Sequence, residues 1–264
     1  MDFAITTPNV SAILDRRIQP RLSTCKPGID KLRRNNLLSL LPEDELWRLE
    51  PHVELIHLPH RKILCDLGDT SGYVYFPTTS IMSILYSLAD GTCDEISMVG
   101  KDGVIGFAAF MGGERSASQV LVLRSGECYR INRKFILNEF YRAGFLMKVL
   151  LRNTEALMTQ IAQNVVCNRH HHLYQQMCRL LLLILDRQES NQIMLTQEII
   201  AKILGVRREG VTETALKLQH DGLISYCRGH IKVLDRYGLE QNTCECYHVV
   251  KKEYERLCTP PFIL

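Results

Sequence analysis

Leu195-Thr196-Gln197-Glu198-Ile199-Ile200-Ala201-Lys202-Ile203-Leu204-Gly205-Val206, continued by Arg207-Arg208-Glu209-Gly210-Val211-Thr212-Glu213, is the stretch on which the fold turns. Thr196 is placed to cap a helix by accepting from an exposed backbone N–H, and Glu198 lies near that helix's positive end. Ile199, Ile200, Ile203 and Leu204 recur at helical spacing and form a buried face, while Ala201 lets another helix approach. Gly205 permits a tight turn. A second helix over residues 207–219 buries Val211, Ala215, Leu216 and Leu218 and turns Arg207, Arg208, Glu209, Thr212 and Glu213 outward. After Asp221-Gly222, residues 223–226 and 230–234 read as two strands joined by a turn at Cys227-Arg228-Gly229.

Two helices joined by a glycine are common. The hairpin that follows, together with the polar start of the second helix, makes the combination specific for a winged helix-turn-helix over about residues 195–235. In that arrangement the first turns of the second helix enter the major groove, where long or hydrogen-bonding side chains reach base edges. Arg228, His230 and Lys232 then lie near phosphates. Between residues 191 and 240, seven Lys and Arg stand against six Asp and Glu, so affinity for phosphates must come from local placement of charge.

Working upstream, residues 171–188 read as a helix carrying Met177, Leu180, Leu181, Ile184 and Leu185, followed by a polar connection over residues 186–192. A long helix is predicted over residues 139–168, with Leu146, Leu150, Leu157, Ile161 and Val165 on one side. At about 1.5 Å per residue it spans roughly 45 Å, longer than a small domain covers. The stripe reads as a dimer seam, with packing on the chain's own β-domain as the alternative.

Residues 53–131 have a different character. Short apolar or alternating runs at 53–58, 62–64, 72–76, 81–87, 95–99, 119–123 and 127–131 are separated by turn signals at Leu67-Gly68-Asp69, Ala89-Asp90-Gly91 and Lys101-Asp102-Gly103. That spacing predicts an antiparallel sandwich or barrel. Residues 36–50 carry a short helical pattern with Pro42 and three acidic residues at its start. Residues 1–34, with Pro8, Pro20, Pro27 and a basic bias, read as a flexible arm, and residues 246–264 as a tail.

The chain has 264 residues, of which 46% are hydrophobic and 23% charged, with a net charge of +3. This is the balance of a folded protein, and the charge is too small for a polybasic binder. The longest apolar run, residues 180–185, is far below the roughly 20 residues a membrane helix needs. The N-terminus lacks a secretory pattern, so ten scattered cysteines are expected as reduced thiols in a cytoplasm. No grouping supports catalysis. Cys244-Glu245-Cys246 is closer than the usual zinc-site gap, and neighbours among His170-His171-His172 point apart on a helix, so no metal site is expected.

Thr196-Gln197-Glu198, Ile203-Leu204-Gly205-Val206-Arg207-Arg208-Glu209-Gly210-Val211-Thr212 and Gly222-Leu223-Ile224 resemble the helix-turn-helix of the Crp/Fnr regulator family. The resemblance extends to nearly the whole chain after about Asn35. It implies an α+β protein with an N-terminal antiparallel β-roll of the cyclic-nucleotide-binding type (residues 35–137). A dimerisation helix (138–169) and a C-terminal winged helix-turn-helix (170–245) follow. It also implies a homodimer on a pseudo-palindromic site in double-stranded DNA, with RNA polymerase as a further partner if the protein activates. Arg208 and Glu209 match positions that read bases in the family: an arginine suits guanine and a glutamate suits cytosine. Thr212 and Glu213 lie one turn on. Glu213 stands where prominent members carry Arg, which implies a different target sequence. Thr196, Gln197, Arg207, Arg228, His230 and Lys232 complete the expected DNA-binding set.

In nucleotide-binding relatives a Gly-Glu pair holds the ribose and an Arg-Ser pair the cyclic phosphate. Glu114-Arg115-Ser116-Ala117 resembles the second element, giving Arg115 and Ser116 as candidate effector residues. Gly103-Val104-Ile105-Gly106 places Val104 where the glutamate belongs, and a valine cannot accept hydroxyl hydrogen bonds; this speaks against an orthodox cAMP response. An iron–sulfur cluster of the family's type requires grouped N-terminal cysteines, and only Cys25 lies in the arm. The rival readings are a cyclic-nucleotide-dependent regulator and a module whose winged helix binds protein.

Overall fold

Alternation and helical periodicity divide the chain much as the sequence predicts. A computed structural model describes residues 26–70, 72–87, 93–113 and 115–258. Outside them lie residues 1–25 of the expected arm with Cys25, the Ala89-Asp90-Gly91 turn, Glu114, and residues 259–264. In chain order the elements are α1 (Ile29–Leu32), α2 (Asn36–Ser39), α3 (Glu43–Leu49), β1 (Val53–Leu58), β2 (Ile63–Cys65), β3 (Tyr73–Pro77) and β4 (Ile81–Ser87). β5 (Cys93–Val99), β6 (Gln119–Arg124), β7 (Gly126–Asn132), α4 (Arg133–Tyr141), α5 (Phe145–His170) and α6 (Leu173–Asp186) follow. The last are β8 (Gln192–Met194), α7 (Gln197–Leu204), α8 (Arg208–His220), β9 (Ile224–Cys227), β10 (His230–Val233), α9 (Arg236–Asn242) and α10 (Glu245–Cys258).

The first seven strands form two antiparallel sheets, in the orders β1-β7-β3 and β2-β6-β4-β5. Every second side chain points inward, so Ile56, Leu58, Met82, Ile84, Val120, Val122 and Cys128 fill the space between the sheets. Leu157 of α5 closes this core.

Part of the expected arm is folded. Residues 29–32 are helical, Leu32 is fully buried, and the Tyr129 hydroxyl donates to the Lys31 carbonyl. Residues 246–258 of the expected tail are helical: α10 buries Cys246, Tyr247, Val250, Tyr254 and Leu257. It packs antiparallel on α5, with Tyr254 near Gln160 and Arg256 paired to Glu155. The spacing of 247, 250, 254 and 257 is that of one helix face.

The long helix divides. α4 ends at Tyr141, Ala143 takes φ +58°, and α5 begins after Gly144. Glu45 of α3 caps the new helix, accepting from the Phe145 and Leu146 N–H groups at 2.7 and 2.8 Å. A Cβ on residue 144 would meet Glu45 Oε1 at 2.4 Å, so a larger residue there displaces the carboxylate from its capping position. The 26 residues of α5 give about 39 Å.

The apolar stripe read as a seam faces inward for most of its length. Leu146, Leu150 and Leu157 are buried in the chain's own core and Ile161 packs beside them, leaving only Val165 exposed. A different line is open: Leu151, Met158 and Val165, seven residues apart, are 47%, 64% and 65% exposed, with Val166 beside them. Leucine and valine stripes on a helix look alike in sequence, and only the docked β-roll decides which one it covers.

Residues 186–192 also differ from a polar connection. Arg187 is buried and pairs with Asp102 at 2.9 Å, beside a polar group formed by Glu95, Ser83, Ser97 and Tyr254. Residues 192–194 add a third strand to the C-terminal hairpin, giving the order β8-β10-β9. Among the described residues, no helix is long and apolar enough to cross a membrane.

Candidate nucleic-acid interface

Thr196 caps α7 by accepting from the Ile199 N–H at 3.3 Å. The buried face consists of Ile199, Ile200, Ala201, Ile203 and Leu204. Gly205 ends the helix at φ +63°, and the Val206 N–H donates to the Ala201 carbonyl at 3.0 Å. The chain then enters α8 with Arg207 as its N-cap residue. Val211, Ala215 and Leu218 are buried, whereas Leu216, expected inside, is 59% exposed. Its position, four residues after Thr212 and eight after Arg208, puts it on their face.

α7 and α8 are joined by a polar clasp. The Thr212 hydroxyl donates to Gln197 Oε1 at 3.0 Å and lies 3.1 Å from the Arg208 carbonyl. Arg207, Arg208, Glu209 and Glu213 are exposed. Behind α8, Tyr174 of α6 donates to Asp221 at 2.6 Å and fixes the helix's far end.

The wing is a two-residue hairpin. His230 pairs with Cys227, leaving Arg228 and Gly229 as the turn, at φ +48° and +84°. Positive φ at both central residues is the geometry whose twist matches paired strands. The turn presents Arg228, with His230 and Lys232 exposed on β10. The Tyr226 hydroxyl donates to the Leu195 carbonyl at 2.9 Å and ties the wing to the start of α7.

Some of the charges on this surface are paired and others are not. Arg236 is engaged by Asp186 and Glu240, and Lys202 lies 3.9 Å from Glu198. Arg207, Arg208, Arg228 and Lys232 have no carboxylate partner within 4.0 Å among the described residues. Glu209 and Glu213, exposed on the same helix, likewise have no Lys or Arg partner within 4.0 Å among the described residues, so these four cations stand beside two unpaired carboxylates at the start of α8.

A groove of about 430 Å³ runs between the first turns of α8 and the wing. Thr196, Gln197, Arg208, Thr212 and Arg228 line it, all from the expected set, together with Leu216 and Gln219. Leu216 and Gln219 were missed, although their helical spacing from Arg208 and Thr212 marks them. Arg61, at the β1–β2 turn, also reaches this groove; no local signal points to it. The β-roll thus stands beside the second helix, and a cavity of about 640 Å³ is lined by residues of α7, β4, β5 and β6.

Among the described residues, neither Arg115 nor Ser116 lines either of these two cavities. Arg115 is exposed, and the Ser116 hydroxyl donates to the Ser118 carbonyl at 2.7 Å. Val104 is buried in the core at 1% exposure, so its position offers a ribose nothing.

The expectation of no metal site weighed Cys244-x-Cys246 and the histidine run separately. The fold brings Cys167 and His171 of the α5 end to Cys244 and Cys246, with ligand atoms of all four within 4.8 Å of one another. Sequence neighbours alone did not reveal this, because the two halves lie on different elements.

Comparison with known proteins agrees with this geometry. Residues 175–242 match the family model of the Crp-like helix-turn-helix domain. A transcriptional regulator of the Crp/Fnr family from Eubacterium rectale superposes with a TM-score of 0.61 at 15% identity, covering 80% of this chain and 98% of the other. A CRP-family regulator from Thermus thermophilus gives 0.60 at 17% identity, over 70% and 95% of the two chains. FixK2 from Bradyrhizobium japonicum gives 0.60 at 14%, over 73% and 98%. No match is found among curated proteins. Residues 175–242 are a Crp-like helix-turn-helix domain, and the chain carries the fold of the Crp/Fnr transcriptional regulators.

Proposed function

We propose that this protein is a sequence-specific DNA-binding transcription regulator, acting as a homodimer on a pseudo-palindromic site. The observation that carries the reading is the exposed polar start of α8, Arg207, Arg208, Glu209 and Glu213, flanked by Arg228 and Lys232 of the wing. A helix end of this kind fits the major groove, with the wing cations on phosphates. Arg208 reads guanine, Glu209 reads cytosine, and exposed Leu216 meets a thymine methyl group. Thr196, Gln197, Thr212, Glu213 and His230 position or extend this surface.

The Leu151–Met158–Val165 line supports the dimer. Its seven-residue period is that of a helix seam, and a second copy of α5 is the occupant that repeats the same period. The β-roll serves as the sensor, and RNA polymerase is a further partner where the protein activates. Buried Val104 disfavours a cyclic nucleotide held through its ribose.

Selection of genomic DNA by the purified protein, followed by binding at several salt concentrations, tests the reading. The expected result is an inverted repeat with half-site centres about 34 Å apart. Weak binding indifferent to sequence, unchanged in Arg208→Ala, overturns it and favours the protein-binding alternative.

A further inference from the structure

At the hinge where α5 gives way to α6, three thiols and an imidazole converge. Cys167 and His171 stand one helical turn apart, at the end of α5 and its C-cap position. Cys244 precedes α10 and Cys246 lies in its first turn. The three cysteines are buried at 0%, 2% and 1% exposure and form their own cluster. The Cys167 and Cys244 sulfurs are 3.5 Å apart, and Cys246 Sγ lies 3.6 Å from His171 Nδ1.

These separations are too long for a disulfide, whose sulfurs lie about 2.05 Å apart. They are close to those imposed by a tetrahedral ion. With bonds of about 2.3 Å to sulfur and about 2.0 Å to nitrogen, sulfur pairs stand roughly 3.8 Å apart and sulfur–nitrogen pairs roughly 3.5 Å. The imidazole is also oriented as a ligand. Its Nε2 lies 3.2 Å from the Glu245 carboxylate, which leaves Nδ1 facing the sulfurs. The Gln176 amide holds the backbone beneath, donating to the Cys167 and His171 carbonyls at 3.2 and 2.8 Å.

We propose that Cys167, His171, Cys244 and Cys246 bind one zinc ion that fastens α10 to the hinge between the long helix and the DNA-binding domain. Three thiolates and one imidazole form a closed four-ligand set, the type used by structural zinc rather than by hard cations or by catalytic zinc with an open position. The ion joins ligands 77 residues apart in sequence. It thereby fixes the direction in which α6 leaves α5, and so the placement of α8 relative to the dimer seam.

The test uses the full chain, purified under reducing conditions without chelator. Zinc is quantified by mass spectrometry, and the stripped protein is titrated with Co²⁺. The expected result is about one zinc per chain, with the visible bands of tetrahedral thiolate cobalt. Both are retained in Cys227→Ser, whose thiol is exposed elsewhere, and lost in Cys244→Ser/Cys246→Ser. His171→Ala, which keeps all three thiols, weakens zinc affinity at least tenfold in competition with a chromogenic chelator, so the proposal stands testable if the double variant does not fold. Absence of zinc and of cobalt bands in folded wild type overturns it. So do wild-type loading of the double variant, a Cys167–Cys244 disulfide in the freshly purified chain, or an iron–sulfur absorption.

Discussion

The Thr212 hydroxyl donates to Gln197 Oε1 at 3.0 Å, clasping the first turn of α7 to the second turn of α8. Each side chain borders the groove, so the bond that ties the two helices together also shapes the candidate surface. Thr212→Val keeps the volume and removes the donor. It should cost about 1 kcal/mol of stability and weaken specific DNA binding more than non-specific binding, as read by thermal melting and titration against two duplexes.

Arg208 and Lys232 should separate base reading from phosphate attraction. Arg208→Ala is expected to lose about 1–3 kcal/mol of specific binding, roughly 5- to 150-fold, and to relax preference at one guanine. Lys232→Ala should weaken all sequences alike and lower the salt slope by about one. Binding-site selection on both variants distinguishes the two patterns.

Arg228 holds φ +48°, a conformation that asparagine adopts with less strain. Arg228→Asn should raise stability by up to about 1 kcal/mol while weakening DNA binding through the lost charge. Chemical denaturation and salt-dependent titration measure the opposed effects.

Met158 is central to the exposed line on α5, at 64% exposure. Met158→Glu places a charge where a second copy would cover it, and should raise the dimer dissociation constant by roughly a hundredfold or more. Sedimentation velocity reads the change. Half-site binding should persist while binding to the full inverted repeat falls.

Burial pushes the Glu95 carboxyl up to about 7, a shift that the nearby Ser83 hydroxyl and the Arg179 and Arg187 charges only partly oppose. The folded state therefore holds a proton that the unfolded chain, with a carboxyl near 4.5, has released. This contribution is fully present below about pH 4.5 and is lost as pH rises through about 7, at up to about 1.4 kcal/mol per pH unit. Glu95→Gln should flatten that part of the stability profile between pH 5 and 7. An unchanged slope in denaturant melts would remove Glu95 as its source.

Much of the local geometry of the candidate surface was legible because it depends on local rules. Thr196 caps the helix it precedes, Gly205 takes the left-handed turn, and Arg228-Gly229 closes the wing. The strands of the β-roll likewise follow alternation within each run. Leu216 was misplaced because an apolar residue one step from Ala215 reads as core until the position of α6 behind α8 is known. Arg61 could not be found at all, since 147 residues separate it from Arg208 and only docking of the β-roll brings them to one groove.

The order of elements, the capped helices and the tight turns were determined by the sequence itself, because each rests on contacts within a few residues of chain. Tertiary structure alone decided which stripe of α5 stays open, how Arg187 is buried against Asp102, and that Cys167 meets Cys244 across 77 residues. Periodicity shows that a helix has an apolar face, but burial belongs to a pair of surfaces, and the partner surface lies far away along the chain.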